Sequence, residues 1–597
     1  MSAVSPVNAL SPVNAGRAMG YTPPPDSRAA ASVLLVRDRS PEGPDRPQLE
    51  VLMLRRAERD GDSRGGAAVF PGGVLDPRDR DAGPWCLGPG DEEASRLLGL
   101  REGGLGYWVA AVRETFEEVG LLLAVPDESR SIDVPALYPH REPLNDGDLS
   151  AAEFARAQGL RWDLRGLVYY SHWLTPRTVP KRFDTRFFIA HAPAGQSAQA
   201  DMGEAVELMW LTPAEALQPA RGLKLMPVTR RTLLDLARHP GADAAIEAAR
   251  ARQHDVALIE PRVAQNAKGR HVVLPGDLSW AEVGRLDPAC AGSAYCDLVP
   301  GRVVQLSPCI LRVTAPNPGP MTGPGTNSYL VASPRTEGAT ERAWTVIDPG
   351  PDSSSGGHES HLQALLAAAL HDGPGRITQI LVTHTHRDHS PLAVALAQAT
   401  GAPVLGLVAD HPMWQDPHFA PQRQLHHGER LTLGPGCTLR VVHTPGHASN
   451  HLCYLLEEEQ TLFTGDHVMQ GSTVVINPPD GNMVAYLAAL QLLLHEPLQW
   501  LAPGHGYLVD QPHQVLRDLI AHRMKRHALV LAALQGAGTA TLDQLLPVVY
   551  GDVSPSLHGM ARRSLLAHVL KLQHDGQAEA VEDAAGAEGD ARWSWLG

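Results

Sequence analysis

Three imidazoles and one carboxylate fall within His384-Thr385-His386-Arg387-Asp388-His389. Divalent cations of borderline to hard character take such a mixture of nitrogen and oxygen donors. The run therefore reads as two adjoining cation sites, His384 and His386 serving one, Asp388 and His389 the other. A histidine run also arises by chance in a chain with 28 of them. Three later positions argue against chance: His447 in His443-Thr444-Pro445-Gly446-His447, Asp466 after Leu462-Phe463-Thr464-Gly465, and His505 in Pro503-Gly504-His505-Gly506. A second constellation is acidic. Glu114, Glu117 and Glu118 share one face of a helical pattern, Tyr107 to Val119, whose other face carries Trp108, Val112, Thr115, Phe116 and Val119. Three carboxylates at this spacing repel one another unless a cation neutralises them. A solvated acidic face is the plainer alternative.

The elements that must position these groups follow from pattern. The β-branched run Ile377 to Val382 predicts a strand. Ser390 fits an N-cap, Pro391 the first helical position and Gly401 the stop of a helix over 390–400. The cluster thus lies on the loop leaving a strand's C-terminal end. His447, Asp466 and His505 each follow an apolar run on a glycine-containing loop, so separate strands deliver them to one sheet edge. For the acidic set, the runs 32–36 and 49–54 predict strands, and Gly120 ends the helix.

The first set of residues, in this order, resembles the metallo-β-lactamase superfamily with its HxHxDH motif. The resemblance implies an αββα sandwich and a dinuclear hydrolase site holding two Zn²⁺, or iron or manganese. It places His384, His386 and His447 on one cation, Asp388, His389 and His505 on the other, and Asp466 between them, with Asp388 also catalytic. The run Gly325-Thr326-Asn327-Ser328-Tyr329-Leu330 is similar to the branch holding the β-lactamase-like endoribonuclease, within the glyoxalase II group. Asp348 reads as a structural strand-end carboxylate, and His451 as support for the ligands or as ordinary packing.

Arg113-Glu114-Thr115-Phe116-Glu117-Glu118-Val119-Gly120-Leu121, with Gly72-Gly73 upstream, resembles the Nudix box, Gx5Ex7REUxEExGU. Asp79 stands where the box has glutamate, the stretch 80–112 replaces seven residues, and Thr115 replaces an aliphatic one. The split box, with Trp173-Leu174-Thr175-Pro176, Arg182 to Phe188 and Trp210 to Ala216, is similar to the branch of peroxisomal coenzyme A diphosphatases. That resemblance implies Mg²⁺ or Mn²⁺ held by Glu114, Glu117 and Glu118 against a nucleoside-diphosphate-linked substrate, CoA derivatives included. Glu204 or Glu207 is a candidate further ligand or base, although a surface carboxylate is the simpler reading.

The whole chain of 597 residues exceeds one ordinary core. The reading is an α/β multidomain protein: a flexible lead-in over 1–28, a Nudix α/β/α sandwich over 29–240, a linker over 241–300, a metallo-β-lactamase αββα sandwich over 301–512, a winged-helix-like helical domain over 513–580 and an acidic tail over 581–597. Six cysteines without CxxC spacing suit a reducing cytoplasm, and no apolar run is long enough for a membrane span. Net charge −15 argues against broad capture of nucleic acid. The cations of 522–527 leave RNA open as a partner, with a solvated helix face preferred. The expected function is a bifunctional metal-dependent hydrolase of small molecules. The Nudix half cleaves a diphosphate, and the other half cleaves an ester, thioester or phosphodiester. The rivals are a Nudix half that only senses a nucleotide or CoA ligand, and a C-terminal ribonuclease.

Overall fold

The computed structural model describes residues 20–39, 48–58, 65–127, 131–201, 203, 205–335, 341–352, 358–581 and 591–597. It forms two compact units that meet in sequence at Val263 and Ala264, with 290–292 grouped with the first. The first nineteen residues of the expected lead-in and Glu204 lie outside the described residues.

In the first unit, the strand Ser27–Arg39 is the centre of a mixed sheet. It pairs in parallel with Arg182–His191 and antiparallel with Gln48–Arg56 and Gly72–Val74. The expected lead-in is therefore too long: Ser27 and Arg28 already pair with Arg182 and Phe183. The helix Leu105–Val119 lies on this sheet, and Gly120 ends it in the left-handed conformation. Every residue of that helix is buried, its acidic positions included, so the expected solvated alternative does not apply. Ahead of that helix, the extra residues within 80–112 include the end of a 3₁₀ segment, Pro77–Trp85, and a short helix, Asp91–Leu98. Thr115 fits an aliphatic position because its hydroxyl donates back to the Ala111 carbonyl at 2.7 Å.

The second unit is a four-layer sandwich. A seven-stranded sheet runs from Val303–Ser307 through Ile310–Thr314, Asn327–Val331, Arg342–Ile347, Gly375–Leu381 and Val404–Gly406 to Arg423–Gln424. A five-stranded sheet orders Arg430–Gly434, Cys437–His443, Leu452–Leu456, Thr461–Gly465 and Trp500–Pro503. Tyr329, Val331, Leu381, Leu439, Tyr454 and Phe463 fill the space between the sheets. Helices His358–Ala368 and Ala393–Thr400 cover the first sheet. Met483–Leu493 and Pro512–Ala537 cover the second. The expected helix start at Ser390 is displaced to Leu392. Ser390 is buried, and its hydroxyl donates to Asp416 at 2.9 Å instead of capping.

The expected linker is structured. Ala242–Arg252 is a helix of the first unit, and Trp280–Leu286 a helix of the second. At the C-terminus, Pro512–Ala537, Leu542–Val549 and His558–His574 pack with a sheet of Thr539–Thr541, Arg592–Trp595 and Ala578–Val581. Arg592–Trp595 thus lies inside the stretch read as a tail, because Trp593 is drawn into that core. No helix among the described residues is long and apolar enough to cross a membrane, and all six cysteines are unpaired.

Candidate metal centres

The seven donors meet at the end of the sandwich where both sheets stop, not at the edge of one sheet. Residues 384–389 follow Gly375–Leu381 of one sheet, while His447, Asp466 and His505 follow three strands of the other. In one group, His384 Nε2 and His447 Nε2 each approach His386 Nδ1 to 3.0 Å. In the next, His505 Nε2 stands 3.3 Å and His389 Nε2 3.6 Å from Asp388 Oδ2. Asp466 faces both: Oδ1 is 3.3 Å from His389 and from His505, and Oδ2 is 3.7 Å from His447. Ligand atoms about 2.0–2.1 Å from a tetrahedral cation lie roughly 3.3 Å apart, which is the spacing of these groups. Gly504 lets them close up, since a Cβ there would lie 2.7 Å from His389 Cε1 and 2.8 Å from Asp466 Oδ1.

The far nitrogens of four of the five imidazoles are fixed as well. His384 Nδ1 meets Thr383 Oγ1 at 3.0 Å, His389 Nδ1 meets Asp348 Oδ2 at 2.9 Å, and His447 and His505 use Nδ1 on the Val475 and Gly325 carbonyls. Such partners set which ring nitrogen stays open. Asp348, read from sequence as structural, also accepts from the Thr383 amide and hydroxyl at 2.7 and 2.8 Å, so it orients His389. His451 stacks on His384 with ring centres 4.9 Å apart and turns Nδ1 to Thr444. Both are supports.

Electrostatics agree with a cation pair. Burial, then the neighbouring imidazole of His447, holds His386 down to about 3, the neutral form that binds metal. Burial also lowers His384 and His447. In the second group burial opposes protonation of His505, yet Asp466 and Asp388 raise it to about 10. The two carboxylates call for positive charge, which a divalent cation would supply in place of those protons. His389 Nε2 and Asp466 Oδ1 are buried and make no hydrogen bond, a cost that coordination would remove.

The acidic helix contains a cation the sequence reading passed over. Buried Arg113 reaches Asp79 at 3.0 and 3.1 Å, Glu114 at 3.1 Å and Glu117 at 3.0 Å. Its position inside the acidic run was the available signal. Asp79 is thereby spent on Arg113. Glu118 accepts from the Gly72 amide at 2.8 Å. Gly73 leaves room for the Glu114 carboxylate, which a Cβ there would approach to 2.4 Å and push from its present place. Burial raises Glu114 to about 8 and also raises Glu117 and Asp79, with Arg113 pulling the other way. Glu114 and Glu117 are turned to Arg113 and Glu118 to the Gly72 amide, so among the described residues the three carboxylates share one helix but do not converge on a single point as the histidines and aspartates do. Glu207 is a surface carboxylate paired with Arg55 at 2.9 Å.

Of the basic run at 522–527, Arg523 and His527 are buried. Arg526 holds the Val549 carbonyl and Asp552. The expected solvated face is thus only partly present, because these cations find partners within the protein.

Residues 92–227 match the NUDT19 Nudix domain, 321–505 the metallo-beta-lactamase superfamily and 541–593 the beta-lactamase associated winged helix domain. An atrochrysone carboxyl ACP thioesterase, dmxR1 of Cryptosporiopsis sp., is 28% identical over 51% of this chain and 93% of its own. The lactamase-like protein aptB of Emericella nidulans is 30% identical over 49% of this chain and 88% of its own. A beta-lactamase domain protein from Burkholderia ambifaria has a TM-score of 0.43 and 20% identity, covering 50% of this chain and 96% of that one. A sandwich with histidines and aspartates gathered at its end, matched along nearly the whole of such relatives, makes this chain a hydrolase of the metallo-β-lactamase superfamily, fused to a NUDT19-type Nudix domain and a β-lactamase-associated winged helix.

Proposed function

We propose that the protein is a bifunctional hydrolase acting on thioesters through its C-terminal half and on a CoA-type diphosphate through its Nudix half. The observation that carries the first activity is the grouping of seven donors around two centres with Asp466 facing both. When bound, Zn²⁺, iron or manganese there supplies Lewis acidity and an acidified water. His384, His386 and His447 hold one cation, and Asp388, His389 and His505 the other. Asp388, 28% exposed at its side chain, would take the proton of the attacking water and return it to the departing sulfur. Water oxygen adds to the carbonyl carbon, the C–S bond breaks, and acid and thiol leave.

Two features favour a thioester over RNA. The related dmxR1 is named an ACP thioesterase, and two large apolar side chains stand beside the donors. Gln415 forms a backbone bridge with His386, which brings the preceding Met413 and Trp414, both half-exposed, close to that donor. Trp414 holds φ +70°, a conformation rare for a bulky residue, and Arg563 lies 5.0 Å over its ring. Trp414→Ala is expected to raise KM for a long-chain acyl thioester about tenfold, the equivalent of ~1.4 kcal/mol of lost apolar contact. Acetyl thioester hydrolysis should hardly change. Thiol release from acyl-CoAs of increasing length by the full chain tests the activity itself. No cation-dependent release at any length would overturn it.

The Nudix half carries a specific rival, a ligand sensor, favoured by the engagement of Asp79 with Arg113. On the hydrolytic reading, Glu114, Glu117 and Glu118 hold Mg²⁺ or Mn²⁺, and water attack on phosphorus releases 3′,5′-ADP from CoA. Glu118→Gln, which removes one anionic donor, should slow that release by roughly 10²-fold or more, at least the scale of disturbing a metal ligand's partner, and leave thioester hydrolysis intact. Absence of release from the wild-type protein would favour the sensor.

A further inference from the structure

The basic helix Pro512–Ala537 covers the five-stranded sheet beside Met483–Leu493, and Arg523 is its most enclosed cation, 4% exposed. The Arg523 guanidinium donates to the Val474 carbonyl and sits 5.3 Å from the centre of the Tyr486 ring. The next carbonyl, Val475, is the one that meets His447 Nδ1 at 2.8 Å. Adjacent peptide groups are therefore both held, one by Arg523 and one by the imidazole whose Nε2 faces the first cation group. Tyr486 extends the link: its hydroxyl donates at 3.1 Å to the carbonyl of His467, which follows Asp466. The Asn482 amide, one helical turn earlier, donates at 2.8 Å to the carbonyl of Gly446, which precedes His447.

We propose that Arg523 is a positioning residue for the dinuclear centre, fixing the Val474–Val475 peptides so that His447 presents Nε2 to the cation it shares with His384 and His386. A partner on one imidazole nitrogen fixes the tautomer and the ring orientation with which the other nitrogen meets a cation. A carbonyl whose neighbouring peptide swings free fixes nothing. The long helix is thereby part of the metal site's support, and its buried cation is unavailable to a polyanion.

The test is cation binding, read independently of turnover. The metal-free full chain is titrated with Zn²⁺ by calorimetry and with Co²⁺ by visible absorption, for the wild type, Arg523→Ala and Arg523→Lys. The step assigned to His384, His386 and His447 should weaken about 10- to 100-fold in Arg523→Ala, the scale of losing a ligand's outer partner. The other step should hold, and Arg523→Lys, which keeps one donor, should fall between. Turnover should drop in kcat with KM little altered. A folded Arg523→Ala with wild-type isotherms and Co²⁺ spectrum overturns the proposal, as does equal weakening of both steps. Should the alanine variant not fold, wild-type affinity in Arg523→Lys overturns it. The proposal rests on the two-cation reading of the site. A wild type that takes up no divalent cation defeats that reading itself, whereas a wild type that takes up two beside unaffected variants defeats only the role of Arg523.

Discussion

Asp466→Asn is expected to reduce thioester turnover about 10³-fold, near 4 kcal/mol of transition-state stabilisation, and to lower cation content from two per chain to one. Asparagine keeps the side chain's shape and removes its charge. Asp466 Oδ1 and Oδ2 face different donor groups, towards His389 and His505 on one side and His447 on the other. Two divalent cations at the roughly 3.5–4 Å separation of dinuclear hydrolases repel strongly. An anion between them is what makes double occupancy favourable. The group of His384, His386 and His447 is a complete set of imidazoles without Asp466, so one cation should remain. Elemental analysis beside steady-state kinetics checks both halves of the expectation. A variant with two cations and undiminished turnover would remove Asp466 from the bridging position.

That site was legible because every donor sits just past a strand in a short motif, and local sequence carries both signals. Features that depend on a partner far along the chain were not legible. Ser390 has the residue type of an N-cap, yet Asp416 claims its hydroxyl and the helix begins later. Arg523 belongs to a charge run of the kind that faces solvent, but its acceptor is a carbonyl on the loop at Val474. The stretch 241–300 reads as a linker with some structure because it mixes proline, glycine and charge, with a turn signal at Leu274-Pro275-Gly276-Asp277. The charge at Glu282 proves to be a core group, and periodicity cannot reveal that without knowledge of Arg312. In the first unit the carboxylates of the Nudix helix were readable, while the service of Asp79 to Arg113 was not, since the insertion over 80–112 separates them in sequence.

Glu282→Ala is expected to cost about 3–5 kcal/mol in the unfolding of the C-terminal half, the penalty of stranding a buried charge. Glu282 and Arg312 are each 2% exposed at the side chain and pair through both oxygens, at 2.6 and 2.7 Å. Glu282 also accepts from the Leu508 amide at 3.0 Å, three residues past His505. Its loss leaves the Arg312 guanidinium, whose Nε already lacks a hydrogen bond, without a counter-charge in the sheet, and orphans a backbone donor beside a metal-binding loop. At roughly 2–4 °C per kcal/mol for a unit of this size, the melting temperature should fall by about 10 °C. Glu282→Met with Arg312→Met should recover much of that loss, because an apolar pair of similar volume has no charge to desolvate. Calorimetric melts of the two variants beside the wild type decide it. A single variant that melts with the wild type would mean that Arg312 finds another partner, and that the helix Trp280–Leu286 is not anchored through this pair.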